Sequence, residues 1–275
     1  MRQRMVVTVF ACLQYSTTLA MMIIILSPSK TLDLSQVASS EQLSSPNFQT
    51  QASKLLRILK KETASDLEKT MKLSKDLAKS VKSWHTSWGK TEVLHQAALA
   101  MKGEAFKALD FITLSKTDAE YARPRLFILS GLYGALGPFD FIQPYRLEMA
   151  QKFSPFDGSK SLNAFWSKRL PKFFNLKAEE IRSQFIANLA SDEYNKVVLK
   201  PELNLQVINF SFKIETDKGL KNISVFAKQA RGAMARYIIE NQITTSKGLK
   251  GFNALGFRYR NELSSTLEFT YTRTS

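Results

Sequence analysis

Three short runs of consecutive apolar residues occur along the chain, at residues 22–26 (MIIIL), 126–129 (LFIL) and 185–189 (FIANL). Apolar runs of this length are typical of strands that are buried on both faces. Each run leads directly into a polar segment. We therefore predict an α/β (mixed α+β) fold with a central mixed sheet. If these strands are parallel neighbours, their carboxyl ends meet at one edge of the sheet.

Helical periodicity predicts a pair of helices after a serine-rich linker at residues 34–47. The first helix spans residues 48–61, and the second follows a capped turn at residues 63–66, with Leu67, Met71, Ala78 and Val81 on one side. The outer surface of this hairpin is basic and includes Lys72 and Lys75. Such a surface can lie on a phosphate backbone, and the alternative is a merely solvated face.

The remaining pattern predicts shorter elements. We expect an aromatic turn at residues 83–89, an alanine-rich helix at 92–101, a capped helix from Ser115 to Ala122, and a helix at 161–170 that Pro171 stops. Alternating positions predict one hairpin from strands 205–215 and 220–227, and another from 256–260 and 267–272.

A further helix is predicted over residues 227–243. It would form a fourth wall of a cleft at the carboxyl ends of the three apolar strands. Its apolar side carries Ala230, Met234, Tyr237 and Ile238. Lys228, Arg231 and Arg236 fall on the other side, where guanidinium groups would suit phosphate, although a solvated basic face is the alternative. Gly232 leaves room there for another backbone to come close.

The segment after the second apolar run, residues 130–149, combines glycines and prolines with aromatic and charged side chains. Tyr133, Phe139 and Tyr145 would stack on a ligand if the loop serves binding. The alternative is a packed Ω-loop whose aromatic side chains cover the edge of the sheet.

The overall charge favours anionic partners. The chain has 39 basic and 24 acidic residues among 275, a formal net charge of +15. Nucleic acid is the first candidate partner, followed by acidic membranes and phosphorylated small molecules. We predict no stable membrane association.

Residues 1–21 differ from the rest, with a basic start, a short apolar stretch and small residues, as in a weak signal peptide. The competing and preferred interpretation is that translation starts at Met21 or Met22. Without this extension, 39 less two arginines leaves 37 basic residues against 24 acids, a charge of +13. Cys12 would also be lost, and no disulfide or cysteine-based zinc site could form.

If the strands are parallel neighbours, polar side chains from three loops converge on one cleft. They are Ser27, Lys30, Asp33, Ser130, Tyr133, Tyr145, Arg146, Glu148, Asp192, Glu193 and Tyr194. Lys30 and Arg146 are the phosphate-binding candidates, and a Lys30–Asp33 surface pair is the alternative for the first loop. Asp192 and Glu193 are the only catalytic candidates, as a general base or divalent-metal ligands, although adjacent acids usually point apart.

Common catalytic motifs are missing from the sequence, including the dinucleotide-binding, Walker and nucleophile-elbow patterns. His85 and His95 have no second ligand at a metal-like spacing. We predict no metal site and no cofactor.

Several long segments resemble the YaaA peroxide-stress family in the right order. They are SPSKTLD (27–33), LSGLYGALGPFDFIQPYRLEM (129–149), FW (165–166), NLASDEY (188–194), FAKQARGAMARYIIEN (226–241) and GFNALGF (251–257). Proteins of this family begin at the strand equivalent to residues 22–26, which supports the later start. The resemblance implies one domain over residues 22–275 with a family-specific fold.

The resemblance further implies a cytoplasmic protein that protects against hydrogen peroxide and keeps free iron low. It also implies a positive cleft and a helix-hairpin-helix-like element that bind DNA, for which residues 54–82 and 228–236 are the candidates here. The glycine turn typical of that motif is absent from residues 62–66. We expect a monomer that binds duplex, distorted or junction DNA with little sequence specificity.

Two alternatives remain open at this point. The first is an enzyme that acts on a nucleotide or nucleobase at the strand-end cleft, with Asp192 or Glu193 as the base. The second is direct iron sequestration, which would need an all-carboxylate site because the body of the chain lacks cysteine and has two scattered histidines.

Overall fold

A computed structural model describes residues 21–35, 43–90 and 93–274 of the chain. The strands in these ranges are β1 (Met21–Leu26), β2 (Thr31–Leu32), β3 (His95–Gln96), β4 (Met101–Lys102), β5 (Leu126–Ser130), β6 (Gly134–Leu136), β7 (Phe141–Ile142), β8 (Ser183–Leu189), β9 (Gln206–Thr216), β10 (Gly219–Lys221), β11 (Arg258–Tyr259) and β12 (Glu268–Thr274). The helices are α1 (Gln49–Leu59), α2 (Ala64–Met71), α3 (Lys75–Ser87), α4 (Ala97–Ala100), α5 (Glu104–Leu109), α6 (Lys116–Ala122), α7 (Leu162–Ser167), α8 (Leu170–Ile181), α9 (Asp192–Asn195), α10 (Ser224–Glu240) and α11 (Ser246–Leu249).

The central sheet has the strand order β11-β12-β9-β8-β1-β5-β6, with β10 paired to β9. The five strands from β12 to β5 are parallel to their neighbours, and the strands at the margins are antiparallel. β1 lies between β5 and β8, with Ile24 opposite both Leu126 and Ala187. The predicted fold class is confirmed, and the three apolar strands are the parallel neighbours that the strand-end cleft requires.

The centre of the sheet is apolar because β1 has neighbours on both sides. Residues 22–26 are at most 1% exposed, as expected of a strand without polar alternation. The long helix α10 contacts β1, β8 and β9, and it also lies against the short helix α5. This arrangement brings α5 and α10 to the edge of the sheet where β1 and β8 end.

The basic hairpin consists of three helices rather than two. Thr63 and Asp66 form the predicted capping box that opens α2. The predicted second helix is interrupted at Lys72, which adopts a left-handed conformation with φ of 51°, and Ser74 then caps α3. The aromatic turn predicted at residues 83–89 is wrong, because α3 continues to Ser87.

Three other sequence predictions also need correction. The alanine-rich helix is confined to α4, because β3 and β4 on either side pair with β7 and β2. Pro171 lies in the first turn of α8, where its missing N–H costs no helical hydrogen bond, so it begins a helix instead of ending one. The strand predicted at 220–227 ends at Lys221, and α10 begins at Ser224.

The helix opened by Ser115 and the C-terminal hairpin of β11 and β12 are confirmed. Residues 1–20 of the predicted extension and residues 36–42 of the predicted linker lie outside the described residues. In the described ranges, none of the helices combines the length and the hydropathy needed to span a bilayer.

A candidate anion-binding cleft at the strand ends

A cavity of about 570 Å³ opens outside the carboxyl ends of β1 and β8. The loop after β1, the β4–α5 segment, the start of α9 and one face of α10 form its walls. Its polar and charged lining side chains are Ser27, Ser29, Lys30, Thr31, Lys102, Glu104, Lys107, Ser191, Glu193, Tyr194, Lys228 and Arg231. The volume is in the range of small-molecule sites.

Five basic side chains line this cleft, and three of them form ion pairs at the surface. Lys107 contacts Glu104 at 2.8 Å, Lys102 contacts Asp33 at 3.4 Å, and Lys30 contacts Glu148. The three lysine side chains are 55–66% exposed. Exposed pairs of this kind contribute only about 0–1 kcal/mol, so these lysines can exchange their partners for an anionic ligand.

Arg231 differs from these lysines because it is half-buried, whereas they are exposed. Burial lowers the pKa of Arg231, and the nearby charge of Asp192 acts in the opposite direction. Within the described ranges, no hydrogen bond or ion pair satisfies its N–H groups. Lys228, one turn earlier on α10, is exposed to the same cleft.

Two serines join the loop after β1 to the loop after β8. The Ser191 N–H donates to Ser27 Oγ at 2.8 Å, and the Ser27 hydroxyl donates to Ser191 Oγ at 3.1 Å. This reciprocal pair uses the Ser27 proton and leaves the proton of the Ser191 hydroxyl directed to other acceptors. The serines thus fix the geometry of the cleft floor.

The two acidic candidates occupy different positions. Glu193 lines the cavity, where its Oε1 accepts a hydrogen bond from the Ala150 N–H at 3.2 Å. Asp192 does not line it, and its Oδ1 accepts from Asn195 Nδ2 at 3.4 Å. The adjacent Tyr194 contributes to the cavity wall, and burial, followed by the charge of Glu193, raises the pKa of its hydroxyl.

Arg146 holds the loop after β1 in place. Its guanidinium donates to Glu148 Oε1 from two nitrogens, at 2.7 and 3.1 Å, and to the Lys30 carbonyl at 2.9 Å. The hydrogen bonds from Lys30 and Arg146 outweigh the burial of Glu148 and keep the pKa of that carboxyl below its ordinary value. With its donors used in this way, Arg146 positions Lys30 and is not available to a phosphate.

The tyrosines expected to line the cleft lie in the interior instead. Tyr133 is fully buried, and its hydroxyl accepts from Trp88 Nε1 and from the Gln143 N–H, both at 3.2 Å. Tyr145 is 7% exposed and shares a 2.7 Å hydrogen bond with the buried Ser130 hydroxyl. Burial raises the pKa of Tyr133 to about 12. Neither ring can stack on a base, which overturns that expectation.

Other residues of the 130–149 segment are also packed in the interior. Gly131 and Gly134 lie against distant groups, since the Gly131 carbonyl accepts from Trp166 Nε1 and a Cβ on Gly134 would lie 2.4 Å from the Trp166 ring. Phe139 is covered by the Arg123 guanidinium, 3.8 Å above the ring centre. The packed Ω-loop is therefore the interpretation that the geometry supports.

Three predicted phosphate-binding cations lie away from the cavity. Arg236 donates to the carbonyls of Leu109 and Asp110 and forms an ion pair with Glu240 at 2.7 Å, so it ties α10 to the end of α5. Lys72 and Lys75 are exposed where α2 meets α3. Contact between the Gln151 side chain and the Thr70 carbonyl connects that corner to the loop beside Glu193.

The wall formed by β4 and α5 was missed by the sequence analysis, which gave no role to Lys102, Glu104 or Lys107. The available signal was Gly103 followed by Glu104, with Phe106 and Leu109 three positions apart, a pattern typical of a short helix start. Ser191 was also missed as a donor, because nothing in its local sequence identifies Ser27 as its partner.

The histidines take no part in this cleft. His85 is completely buried, its Nε2 accepts from the Arg146 N–H at 3.4 Å, and burial lowers its pKa to about 4. His95 is 3% exposed. In the part of the chain that the structure describes, no three His, Cys, Asp or Glu side chains form a group that could hold a metal ion.

Comparison with known proteins identifies close relatives over most of the chain. The sequence model described as peroxide stress protein YaaA matches residues 22–263. A UPF0246 protein of Phenylobacterium zucineum is 38% identical over 253 residues, which cover 92% of this chain and 95% of that protein. A UPF0246 protein of Clostridium perfringens is 39% identical over 92% of this chain and 100% of its own length. One from Shewanella baltica is 39% identical over 92% of this chain and 99% of its own.

Proposed function

Because this chain belongs to the peroxide stress protein YaaA family, we propose that it serves the peroxide response by binding DNA through the cleft at the strand ends. The observation that carries this proposal is the excess of cations over acids around one concave surface. Five basic side chains and two carboxylates line it, and neither Lys228 nor Arg231 has an ion-pair partner in the described ranges. Such a surface attracts a polyanion.

Phosphate contacts would come from the exposed side chains. Lys30, Lys102 and Lys107 can leave their weak surface pairs, and Lys228 projects into solvent beside them. Lys72 and Lys75 would extend the contact area beyond the cleft, at the corner that Gln151 links to it. Because the buried Tyr133 and Tyr145 cannot stack on bases, binding should be dominated by the phosphate backbone.

This mode of binding would act in the cytoplasm and depend little on base sequence. A protein that covers the DNA backbone would reduce the access of iron-generated hydroxyl radicals to the sugars beneath it. We propose this shielding as the way in which the chain limits iron-driven damage. Its direct test is plasmid nicking by ferrous iron and hydrogen peroxide, with and without the protein. Equal nicking in both samples would exclude shielding.

Salt dependence is the decisive test of DNA binding. Affinity for labelled duplex and junction DNA, measured by fluorescence anisotropy from 50 to 200 mM salt, should fall steeply, with a slope of about 0.9 per neutralised phosphate. Lys228→Gln should weaken binding to both substrates and reduce the slope by about one unit. Lys247→Gln, which removes one charge from α11, is the matched control and should leave the slope unchanged. A complex insensitive to salt, or no complex with either DNA, would refute the proposal.

A further inference from the structure

Arg231 is the strongest indication of a specific ligand in this molecule. A guanidinium has five N–H donors, and those of the half-buried Arg231 are open to the cleft, where water or an anion can accept from them. No acceptor among the described residues satisfies them, and Asp192 contributes only through its charge. Arg231 lines the 570 Å³ cavity, so an anionic ligand can reach its donors from that cavity.

The position of Arg231 is fixed by the packing of the residues next to it. Ala230 and Gly232 are buried, and Gly232 lies directly against the backbone of Ala105. α10 and α5 are therefore held at close approach, and Ala105 and Phe106 of α5 line the same cavity. With the backbone fixed in this way, only the side-chain rotamers of Arg231 need to be ordered on binding, which lowers the entropic cost of an anion site.

A second donor faces the same space. Since the Ser27 hydroxyl donates to Ser191 Oγ and the Ser191 N–H donates to Ser27, the proton of the Ser191 hydroxyl is left for an external acceptor. Ser191 lines the cavity together with Arg231 and Lys228. Guanidinium, ammonium and hydroxyl donors together suit the several oxygens of a phosphoryl group.

The rest of the cavity has features that a bare phosphate would not use. Leu26, Pro28, Phe106 and Leu189 provide apolar walls, and the Glu193 carboxylate provides an acceptor for a hydroxyl or amino group. A nucleotide combines a phosphoryl group, hydroxyl donors and a ring system with apolar faces, and so matches all of these features. The volume is suited to one such unit and is too small for a duplex.

We propose that this cavity binds a single nucleoside 5′-monophosphate unit, with its phosphoryl group on Arg231, Lys228 and Ser191. The unit can be a free nucleotide or the 5′-phosphorylated end of a DNA strand. The free-nucleotide case is independent of DNA binding, whereas the strand-end case rests on the proposed function. Arg231 and Ser191 are less exposed than the lysines that would contact a duplex backbone, and Lys228 is shared by the two modes of binding.

The test measures binding of AMP, adenosine and inorganic phosphate to the full chain by isothermal titration calorimetry. AMP should bind at least about 10-fold more tightly than adenosine, because charge-assisted hydrogen bonds to the phosphoryl group are lost in the nucleoside. The affinity for AMP should also exceed the affinity for inorganic phosphate, because phosphate alone makes no contact with the apolar walls. Equal binding of AMP and adenosine, or no binding of AMP at millimolar concentration, would overturn the proposal.

Variants separate this site from the general charge of the surface. Arg231→Gln should lose at least about 10-fold in AMP affinity, and Lys228→Gln, an exposed substitution that is safe for folding, should lose affinity in the same direction. Lys247→Gln removes the same charge at a distance and should leave AMP affinity unchanged. Thermal unfolding checks that each variant is folded. Unchanged AMP affinity in folded Lys228→Gln and Arg231→Gln would contradict the assignment.

A strand-end experiment identifies the source of the nucleotide. Two duplexes that differ only in a 5′-phosphate or a 5′-hydroxyl on an unpaired end are each titrated as competitors of bound AMP, and their competition constants are compared. Preference for the phosphorylated end, lost in Arg231→Gln, supports the site and assigns it to DNA ends, whereas AMP binding without such preference supports it for free nucleotides. If duplex binding depends on salt but neither AMP nor the phosphorylated end is preferred, this proposal fails and the proposed function stands.

Discussion

Gly232 and Ala105 approach so closely that a Cβ on Gly232 would lie 1.8 Å from the Ala105 carbonyl oxygen. The contact joins the middle of α10 to the start of α5, and residues of both helices line the cleft. A close backbone approach is predicted at this glycine from the sequence, and Ala105 supplies the backbone concerned. The width of the cleft therefore depends on a residue that has no side chain.

Replacing Gly232 with alanine should destabilise the protein and disturb the cleft. Alanine favours the helix by about 1 kcal/mol, but the clash with backbone forces α10 or α5 to move, and overpacking of this kind costs about 1–3 kcal/mol or more. We expect a net loss in the free energy of unfolding, measured in urea, together with weaker AMP binding. Gly89→Ala, which faces open space at a φ of 78°, should lower stability while leaving AMP affinity unchanged.

Amide substitutions at the two acids distinguish a DNA-binding cleft from an active site. Asp192→Asn and Glu193→Gln each remove a negative charge near Lys228 and Arg231, so DNA affinity should stay equal or increase a few-fold. Anisotropy titrations measure this, and chromatography of incubated nucleotides measures turnover. Nucleotide conversion by the wild type that disappears in either variant would instead favour the enzyme hypothesis.

Tyr133→Phe tests whether this ring belongs to the core. The substitution removes the acceptor of Trp88 Nε1 and of the Gln143 N–H, and burying unsatisfied donors costs about 1–3 kcal/mol. We expect that loss in urea unfolding, with DNA affinity unchanged at a temperature where the variant is folded. A variant as stable as the wild type would show that the hydroxyl is dispensable.

His85 should make the protein less stable in acid. Its pKa is lowered from 6.5 to about 4 because burial disfavours the imidazolium, so the unfolded chain binds a proton that the folded state rejects between these values. The stability is present above pH 6.5 and is lost as the pH falls toward 4, by about 3 kcal/mol. The difference in unfolding free energy between wild type and His85→Gln should therefore rise with pH over this range. A constant difference would show that His85 does not titrate as expected.

Asp140 should act in the opposite direction. Burial raises its pKa from 3.8 to about 6, despite a hydrogen bond from the Gly137 N–H, so the folded state holds a proton that the unfolded chain releases. Relative to Asp140→Asn, the wild type should lose about 3 kcal/mol of stability as the pH rises from 4 to 6. Urea unfolding at several pH values measures this. The double variant with His85→Gln should lack both slopes, and persistence of either slope there would point to another group.

The sequence was sufficient for the features that are encoded locally. The apolar runs identified β1, β5 and β8, since a strand buried on both faces carries that signal in its own residues. The sequence also indicated six of the residues that line the cleft, namely Ser27, Lys30, Glu193, Tyr194, Lys228 and Arg231. Two-residue strands such as β3 and β4 gave no usable period, because two positions cannot define one.

Partners distant in sequence account for the failures. The helical periodicity predicted which face of α10 carries Arg236. It could not predict that the carbonyls of Leu109 and Asp110 accept hydrogen bonds from its guanidinium. Arg146 was predicted to bind phosphate, but its guanidinium already donates hydrogen bonds to Glu148 and to the Lys30 carbonyl. The pattern of a segment shows which groups need a partner, whereas the fold determines which partner they obtain.

The central position of β1 has a consequence for biosynthesis. Ile24 pairs with Leu126 on one side and with Ala187 on the other, so a ribosome must make more than half of the chain before both neighbours exist. Until then the nascent polypeptide carries an exposed aggregation-prone stretch, MIIIL, near its amino end. Assembly of the sheet centre therefore has to wait for the synthesis of β8.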